Sequence, residues 1–374
     1  MSALREKIEQ EIREQGPIPF SRYMELCLYH PELGYYSRNA AQFGKAGDFY
    51  TSSDVHAVFG RLLARQFDEM WRVLGSPERI TLQELGPGRG LFAQDVLAWS
   101  EKKFPDFFSA LRYVLEEHSS ALRRRIESTL SRHLESGKAV LQTSGDRSAP
   151  TIIFANEFFD ALPVEVISSE GSLRVGSHDR QFIEIWARHS PEEVEFLDRY
   201  SIHPEPGERV EVPLQSQAYM SDAAKLECGF VIAIDYGYVR EEQLAGRHRG
   251  TLKAIRQHSV SANPYEAPGE QDITADVNFT ALAAAAEAQG MRAQRLITQS
   301  QFLLGIGEAN EFADAFEDCR LPPERAKVAL QLKHLVTPAG MGESFQVLVA
   351  SKGIEREKAS SLTGLNFGAR ISPS

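Results

Sequence analysis

A glycine-rich segment carries the most specific chemical signal in the sequence. It reads Glu84-Leu85-Gly86-Pro87-Gly88-Arg89-Gly90 and stands between a predicted strand, 79–85, and a predicted helix, 91–99. Glycines at such a turn let the backbone approach a ligand closely, and a strand–loop–helix unit of this kind binds nucleotide-like cofactors at the carboxyl end of a sheet. The spacing is G-x-G-x-G, because Leu91 stands where the dinucleotide fingerprint needs its third glycine.

Carboxylates near this segment indicate which cofactor it binds. Glu84 precedes the first glycine by two residues, where an acid is unfavourable beside a pyrophosphate but suits a cationic amino group. S-adenosylmethionine carries an ammonium and a sulfonium and no phosphate, so the segment favours this cofactor over NAD. Glu116 and Glu117 end the second predicted strand, where a carboxylate can accept hydrogen bonds from both ribose hydroxyls. The alternative interpretation is a plain turn followed by two solvated acids.

A second group of polar residues follows the apolar strand predicted at 151–155. Asn156 offers a donor and an acceptor, and Glu157 and Asp160 offer carboxylates. Asp235 ends the next apolar strand, at the same edge of the predicted sheet. We expect these four residues to contribute to catalysis. The competing interpretation is that Asn156 caps a helix whose dipole the two acids stabilise, and that Asp235 is an exposed acid in a turn.

Other polar residues are weaker candidates. The segment Gly47-Asp48-Phe49-Tyr50-Thr51 forms either a lid over the cofactor or a plain loop. His258, Asp272 and Asp276 lie farther along the chain, where a lone histidine is more often structural. The sequence has neither an HExxH pattern nor a CxxC pair, so we expect no metal site.

Strands that alternate with helices must position these residues. The pattern predicts an α/β fold, in which a Rossmann-like, doubly wound parallel sheet has helices on both faces. One helix is predicted across 119–134, and alternation around Glu170-Gly171 predicts antiparallel hairpins inserted into the sheet. We expect a single domain, 1–374, made of an N-terminal helical cover at 1–75, a core at 76–239 and 341–355 with a hairpin insertion at about 163–225, and an inserted subdomain at 240–340.

Composition narrows the class of protein. The 374 residues include 41 Lys and Arg against 52 Asp and Glu, and the formal net charge of −11 argues against non-specific nucleic-acid binding. Three widely spaced cysteines suit a reducing compartment. Four glutamates within the first 15 residues argue against a signal peptide or a presequence, and no uncharged apolar run approaches the roughly 18 residues of a membrane span. We therefore expect a cytoplasmic protein without membrane insertion.

The sequence resembles the MidA-like family of class I S-adenosylmethionine-dependent methyltransferases over nearly its whole length. The string from Asn156 to Pro163 is specific to that family, whereas the glycine segment alone is not. The chain departs from the family pattern at Ser120 and at Ser53-Asp54, away from the proposed chemistry. Further matching strings are 29–36, 47–52, 235–237, 268–270, 272–274, 276–279 and 341–343.

The resemblance implies both an activity and the residues that perform it. Mitochondrial members help to assemble respiratory complex I and are regarded as protein arginine methyltransferases. We therefore expect a methyltransferase that binds S-adenosyl-L-methionine and acts on an arginine-containing protein segment, with a possible homodimer. Carboxylates that grip two guanidinium nitrogens would localise the lone pair on the third, with Glu157 first and Asp160 and Asp235 as partners. The expected cofactor-binding residues are Glu84, Gly86, Pro87, Gly88, Gly90, Glu117 (rather than Glu116), Gly47, Asp48, Thr51 and Asn156.

Three other functions remain open at this point. A small-molecule methyltransferase could use the same fold, although the large insertions favour a bulky acceptor. A non-catalytic assembly chaperone could bind the cofactor without transferring its methyl group. A nicotinamide-dependent oxidoreductase is disfavoured by Leu91 and Glu84.

Overall fold

The computed structural model describes residues 2–38, 57–142, 147, 149–256, 259–261, 263–337 and 341–367. Its first part is mainly helical, because apolar residues recur at helical spacing. The Ser2 hydroxyl accepts a hydrogen bond from the Arg5 N–H at 3.3 Å and starts the first helix, which ends before Gly16. The elements of this part are α1 (Ala3–Gln15), β1 (Ile18–Pro19), α2 (Phe20–Tyr29), α3 (Tyr35–Arg38) and α4 (Ala57–Val73).

The first half of the core alternates strands with helices, as the sequence pattern predicts. The single helix expected at 119–134 is wrong, because the chain leaves helical geometry at Leu130 and forms two helices instead. The elements here are β2 (Ile80–Leu85), α5 (Leu91–Lys103), α6 (Pro105–Ala110), β3 (Leu111–Glu116), α7 (Ser120–Thr129), α8 (Ser131–Glu135), β4 (Ala139–Leu141) and β5 (Thr151–Asn156).

An insertion rich in antiparallel strands follows β5. Its two-residue turn at Ser168–Gly171 joins neighbouring strands, where the sequence predicts a hairpin. The elements of the insertion are β6 (Glu165–Ser168), β7 (Gly171–His178), β8 (Gln181–Ala187), α9 (Pro191–Tyr200), β9 (Val210–Val212) and α10 (Leu214–Ala223).

The last part of the chain returns to the core, leaves it for a second insertion and returns once more. Strand β10 is longer than predicted and continues past Asp235. The elements are β10 (Gly229–Tyr238), α11 (Arg240–Leu244), β11 (Lys253–Arg256), β12 (Ser259–Ser261), β13 (Asp272–Thr274), β14 (Val277–Asn278), α12 (Phe279–Ala288), β15 (Arg292–Ala293), β16 (Ile297–Thr298), α13 (Gln299–Glu308), α14 (Ala313–Phe316), α15 (Pro322–Val336), β17 (Phe345–Lys352), α16 (Arg356–Ser360) and a 3₁₀ turn (Thr363–Leu365).

One central sheet has the strand order β4-β3-β2-β5-β10-β17, and the short strands β15 and β16 pair with β17. The strands from β4 to β10 run parallel, and β17 runs antiparallel beside β10. Strand β5 is buried except at its last residue, Asn156, as expected for a central strand covered on both faces. This arrangement confirms the predicted α/β, Rossmann-like class. The carboxyl ends of the parallel strands meet at one edge of the sheet.

Two apolar clusters fill the two faces of this sheet. On one face α4 and α5 pack against β2 and β5, and the rings of Phe92 and Phe154 stack with centroids 4.6 Å apart. On the other face α10 and α12 contribute Met220 and Phe279. The ring of Phe154 belongs to β5, so this close packing holds β5, and therefore the polar residues at its end, in place.

The N-terminal helices α1 and α2 pack mainly against a second, antiparallel sheet made of β1 and β6 to β9. Strand β1 joins this sheet by pairing Ile18 with Val175. A third small sheet has the order β12-β11-β13, and its residues Ala254 and Ile273 belong to the same apolar cluster as α2. The predicted division into cover, core and subdomain stays a prediction. None of the described helices combines the length and the apolar composition that a membrane span requires.

Candidate active site

A cavity of about 470 Å³ lies at the edge where β2, β3, β5 and β10 end. Ligands of open α/β sheets bind outside the carboxyl ends of the strands, so the position agrees with the expected site. Gly90 and Asp235 do not line the cavity, and Gly47, Asp48 and Thr51 fall outside the described residues. The predicted site residues that do line it are Glu84, Gly86, Pro87, Gly88, Glu117, Asn156, Glu157 and Asp160.

The glycine segment forms a tight turn between β2 and α5. Gly88 has a φ of 55°, and a Cβ placed on it would meet no described atom within 4 Å. Its backbone therefore faces open space in the cavity, where a ligand can approach closely. A Cβ on Gly86 would come within 2.9 Å of the Phe158 ring, so that glycine makes room for a wall residue. Gly90 starts α5 and packs near Ile126, so it shapes the turn without facing the cavity.

Glu84 is a buried carboxyl group near the end of β2. The Tyr113 hydroxyl donates a hydrogen bond to its Oε2 at 2.7 Å. Burial, together with the nearby Glu117 carboxylate, raises the pKa of Glu84 to about 8. Because little water solvates this carboxyl group, a bound cation would strongly favour its ionised form.

Glu116 and Glu117 are neighbours in the chain but make different contacts. Glu117 Oε1 accepts a hydrogen bond from the Ser119 N–H at 2.8 Å, and burial raises the pKa of Glu117 to about 7. Glu116 Oε2 accepts a hydrogen bond from the Gln83 amide at 2.6 Å. Both line the cavity, so the choice of Glu117 as the ribose ligand stays a prediction.

The segment after β5 forms a turn rather than a helix. The interpretation of Asn156 as a helix cap is therefore wrong. Glu157 has a φ of 50°, which is uncommon for a residue with a side chain, and its N–H donates to the Ile234 carbonyl at 3.0 Å. Asn156 Nδ2 donates to Glu157 Oε1 at 3.1 Å, whereas Asn156 Oδ1 is buried and accepts no hydrogen bond from a described residue.

Asp235 stabilises this turn by accepting hydrogen bonds from its backbone. Its Oδ2 accepts hydrogen bonds from the backbone N–H groups of Phe158, Phe159 and Asp160 at 3.2, 2.9 and 3.2 Å, and its Oδ1 accepts one from Tyr236 at 2.9 Å. The side chain is fully buried and does not line the cavity. The structure thus places Asp235 beneath the turn, and not among the groups that a substrate could touch.

Asp160 lies at the far end of the turn. The Thr274 hydroxyl donates to its Oδ2 at 3.0 Å, which ties the turn to β13. Burial raises the pKa of Asp160 to about 6. Burial raises the pKa of the Tyr236 phenol, and the nearby carboxyl groups of Glu157 and Asp160 raise it further. Glu157, Asp160 and Tyr236 therefore share one region of the cavity.

Residues from outside the central sheet complete the wall, and sequence analysis assigned them no role there. Tyr29 and Tyr36 come from α2 and α3, and Asp272, named only as a polar candidate, comes from β13. The Tyr36 hydroxyl donates to Asp272 Oδ1 at 2.9 Å, and the Tyr29 hydroxyl donates to the Ala161 carbonyl at 2.9 Å. All three residues lie within strings that resemble the family, which is the only sequence signal that could have indicated them.

Comparison with known proteins decides what kind of site this is. A sequence model described as "Putative S-adenosyl-L-methionine-dependent methyltransferase" matches residues 62–297, well over half of the chain. The chain belongs to this methyltransferase family. The match includes the glycine turn, the segment after β5 and the end of β10, so the family's sequence covers most of the cavity wall.

Relatives of this methyltransferase match over nearly the whole chain. The mitochondrial protein arginine methyltransferase NDUFAF7 homolog of Drosophila melanogaster is 28% identical, with 94% of this chain and 85% of the relative covered. The human protein arginine methyltransferase NDUFAF7 is 27% identical, with 90% and 80% covered. A solved structure from Burkholderia thailandensis, bound to S-adenosyl-homocysteine, is 27% identical with a TM-score of 0.80, covering 96% of this chain and 94% of that one. These matches confirm the predicted family and its cofactor, S-adenosyl-L-methionine.

The residues of the methyltransferase cavity fit this cofactor. Gly88 leaves open space where a side chain would otherwise stand. Asn156 Oδ1 is a buried acceptor that finds no donor among the described residues, and an ammonium group can supply one. Glu84 and Glu117 add carboxyl groups whose ionised forms a cation or ribose hydroxyls would stabilise.

Proposed function

We propose that this methyltransferase transfers a methyl group from S-adenosylmethionine to the guanidinium group of an arginine side chain in a protein. The observation that carries the proposal is the excess of carboxyl groups over cations in the cavity wall. The relatives named as protein arginine methyltransferases support it, since they match most of the chain.

The charge balance favours a cationic acceptor. The cofactor brings an ammonium, a sulfonium and a carboxylate, which is one net positive charge. Among the described residues that line the cavity, the cationic or titratable bases are Arg89 and His118. Several carboxylates in one partly buried cavity repel one another unless cations balance their charge, so more than one cation is expected when the site is filled. The lining carboxyl groups are Glu84, Glu116, Glu117, Glu157, Asp160 and Asp272.

The proposed roles at the cofactor end follow from the contacts. S-adenosylmethionine, when bound, supplies an electrophilic methyl group on its sulfonium. Glu84 and Asn156 Oδ1 would accept hydrogen bonds from the ammonium group, and Glu117 would accept them from the ribose hydroxyls. The backbone at Gly88 would pass close to the ligand because no side chain intervenes.

The proposed roles at the acceptor end use Glu157 and Asp160. A guanidinium group is a poor nucleophile because its positive charge is delocalised. Glu157, held in place by Asn156 Nδ2, would bind two of its N–H groups and localise the lone pair on the third nitrogen. Asp160, with a pKa of about 6, is suited to accept the proton that methylation releases. Phe158 and Tyr236 form walls that exclude water from the reacting atoms.

The family resemblance extends the proposal to the biological setting. We propose that the acceptor is a subunit of a complex I-type respiratory assembly and that the reaction takes place in the cytoplasm. A homodimer stays a prediction from the sequence.

Transfer of a labelled methyl group tests the proposed reaction. The purified protein and tritiated S-adenosylmethionine are added to a lysate of a strain that lacks the gene, and the labelled protein is hydrolysed to amino acids. We expect the label in methylarginine. Label in another amino acid or in a small molecule would contradict the proposal, as would cofactor binding with no transfer at all, which is the behaviour of a non-catalytic chaperone.

A further inference from the structure

Part of the cavity wall is formed by residues that lie outside the central sheet. Tyr29 at the end of α2, Tyr36 in α3 and Asp272 in β13 stand in this part of the wall, and they come from the N-terminal segment and the second insertion. The cofactor roles proposed above use none of these residues. These residues adjoin the proposed cofactor residues, since Tyr29 interacts electrostatically with Glu117, and their chemistry indicates which further group they bind.

Tyr36 is hydrogen-bonded both to Ser119, near Glu117, and to Asp272. Its backbone carbonyl accepts a hydrogen bond from the Ser119 hydroxyl at 2.8 Å, two residues beyond Glu117 at the cofactor end. Its own hydroxyl donates to Asp272 Oδ1 at 2.9 Å. Asp272 is 6% exposed, so its carboxyl group faces the cavity and protein rather than bulk solvent. The position of Tyr36 thus fixes the position of the Asp272 carboxyl group relative to the cofactor end.

Two phenol rings provide an aromatic wall beside the carboxyl groups. The ring centroids of Tyr29 and Tyr36 are 5.4 Å apart, and the Tyr29 hydroxyl donates to the carbonyl of Ala161, the residue after Asp160. Burial raises the pKa of both phenols, which keeps them uncharged. Asp160 and Asp272 both lie close enough to these rings to interact with them electrostatically. The wall therefore combines neutral aromatic faces with two acids.

This combination suits one kind of side chain. Aromatic faces bind a planar, weakly hydrated cation by cation–π contact and by packing along its apolar stem. Carboxyl groups bind the N–H groups of a guanidinium in fork geometry, and its positive charge balances theirs.

We infer that Tyr29, Tyr36 and Asp272 form the acceptor subsite, which binds the arginine side chain of the protein substrate. This inference rests on the proposed arginine methylation and adds specificity residues to it. Asp272 pairs with the guanidinium, and Tyr29 and Tyr36 pack along the side chain. Tyr36 is a positioning residue as well, because its hydroxyl holds the Asp272 carboxyl group.

Two conservative variants test the subsite. Asp272→Asn removes the charge but keeps an oxygen that can accept from Tyr36, and Tyr36→Phe keeps the ring but removes the donor. Matched controls are Asp318→Asn, in an exposed ion pair with Lys102, and Tyr265→Phe, whose hydroxyl contacts Glu184 away from the cavity. The acceptor probe is the total protein of the deletion-strain lysate, supplied at increasing concentration with tritiated S-adenosylmethionine.

The subsite predicts that the two variants weaken binding of the acceptor protein but leave binding of the cofactor unchanged. Asp272→Asn should raise the apparent KM for the lysate protein by at least about tenfold, and Tyr36→Phe by about threefold, because each loses a contact with a charged group. Titration calorimetry with S-adenosyl-homocysteine should give all four variants a wild-type Kd within about twofold, which also shows that they are folded.

The possible results distinguish a failure of the subsite inference from a failure of the proposed methylation reaction. An unchanged KM in a folded Asp272→Asn, or a cofactor Kd that weakens as much as the KM, overturns the subsite while arginine labelling by the wild type stands. If Asp272→Asn does not fold, Tyr36→Phe decides, and an unchanged KM there overturns the inference. If the wild type labels no arginine, the proposed function fails and the subsite fails with it.

Discussion

The proposed contact between Glu84 and the ammonium group predicts that the affinity for the cofactor rises steeply with pH, because burial favours the protonated form of this carboxyl group in the ligand-free site. Burial raises the pKa of this carboxyl group to about 8. The ammonium group of the cofactor favours the ionised carboxylate, so binding below that pKa must release a proton. Lowering the pH stabilises the protonated free site, so the Kd increases.

The expected change in the Kd depends on how many units the pH lies below the pKa of Glu84. At a pH of about 6, roughly two units below the pKa of Glu84, the Kd should be about 100-fold weaker than its plateau value, since each unit is worth about 1.36 kcal/mol. Glu117, whose pKa burial raises to about 7, adds a further factor of about 10 at that pH if it binds the ribose in its ionised form.

Calorimetric titration with S-adenosyl-homocysteine measures this dependence. The titration is run from about pH 6 to 9 in buffers of different ionisation enthalpy, which reports the number of protons released. The Glu84→Gln variant should bind S-adenosyl-homocysteine more weakly than the wild type at high pH. Its Kd should keep only the weaker pH dependence that Glu117 contributes. Methylthioadenosine lacks the ammonium group and should show only the dependence on Glu117. A wild-type Kd that is constant across this range would refute the assignment of Glu84 to the ammonium group.

Three further predictions follow from the site. Gly88→Ala should weaken cofactor binding at least about tenfold, because its Cβ enters open cavity space, whereas Gly207→Ala, at a positive φ in an exposed loop, should leave the Kd unchanged on calorimetry. Asp235→Asn should lower the free energy of unfolding by about 2–3 kcal/mol in urea titration, because one of its two oxygens can no longer accept, and the exposed Asp198→Asn should change it by less than about 0.5 kcal/mol. Glu157→Gln should keep the cofactor Kd but lower kcat at least about 100-fold in the labelling assay, and an unaltered rate would remove Glu157 from the reaction.

The parts of the site that are local in sequence could be predicted from it. The strand, glycine turn and helix around Gly88 form as expected, because each element is specified by neighbouring residues. Asn156 and Glu157 reach the cavity because β5 is an apolar central strand whose end must meet the ends of β2 and β3. Periodicity and spacing suffice where a residue's position depends on its own strand.

The parts of the site that depend on contacts between distant residues could not be predicted from the sequence. Asp235 has the residue type of a catalytic acid, and only the register of β10 beside β5 shows that backbone N–H groups occupy its oxygens. Tyr36 and Asp272 meet across 236 positions of sequence, which no local pattern can indicate. Leu130 interrupts the predicted helix, although the hydrophobic spacing continues through it.

The most direct test of arginine methylation compares proteomes by mass spectrometry. Cells that lack the gene are complemented either with the wild type or with Glu157→Gln, and arginine-containing peptides are searched for added methyl groups. Arginine methylation predicts at least one methylarginine that disappears in the deletion strain, returns with the wild type and stays absent with Glu157→Gln. Identical methylarginine profiles in all three strains, with the protein expressed and bound to its cofactor, would contradict it.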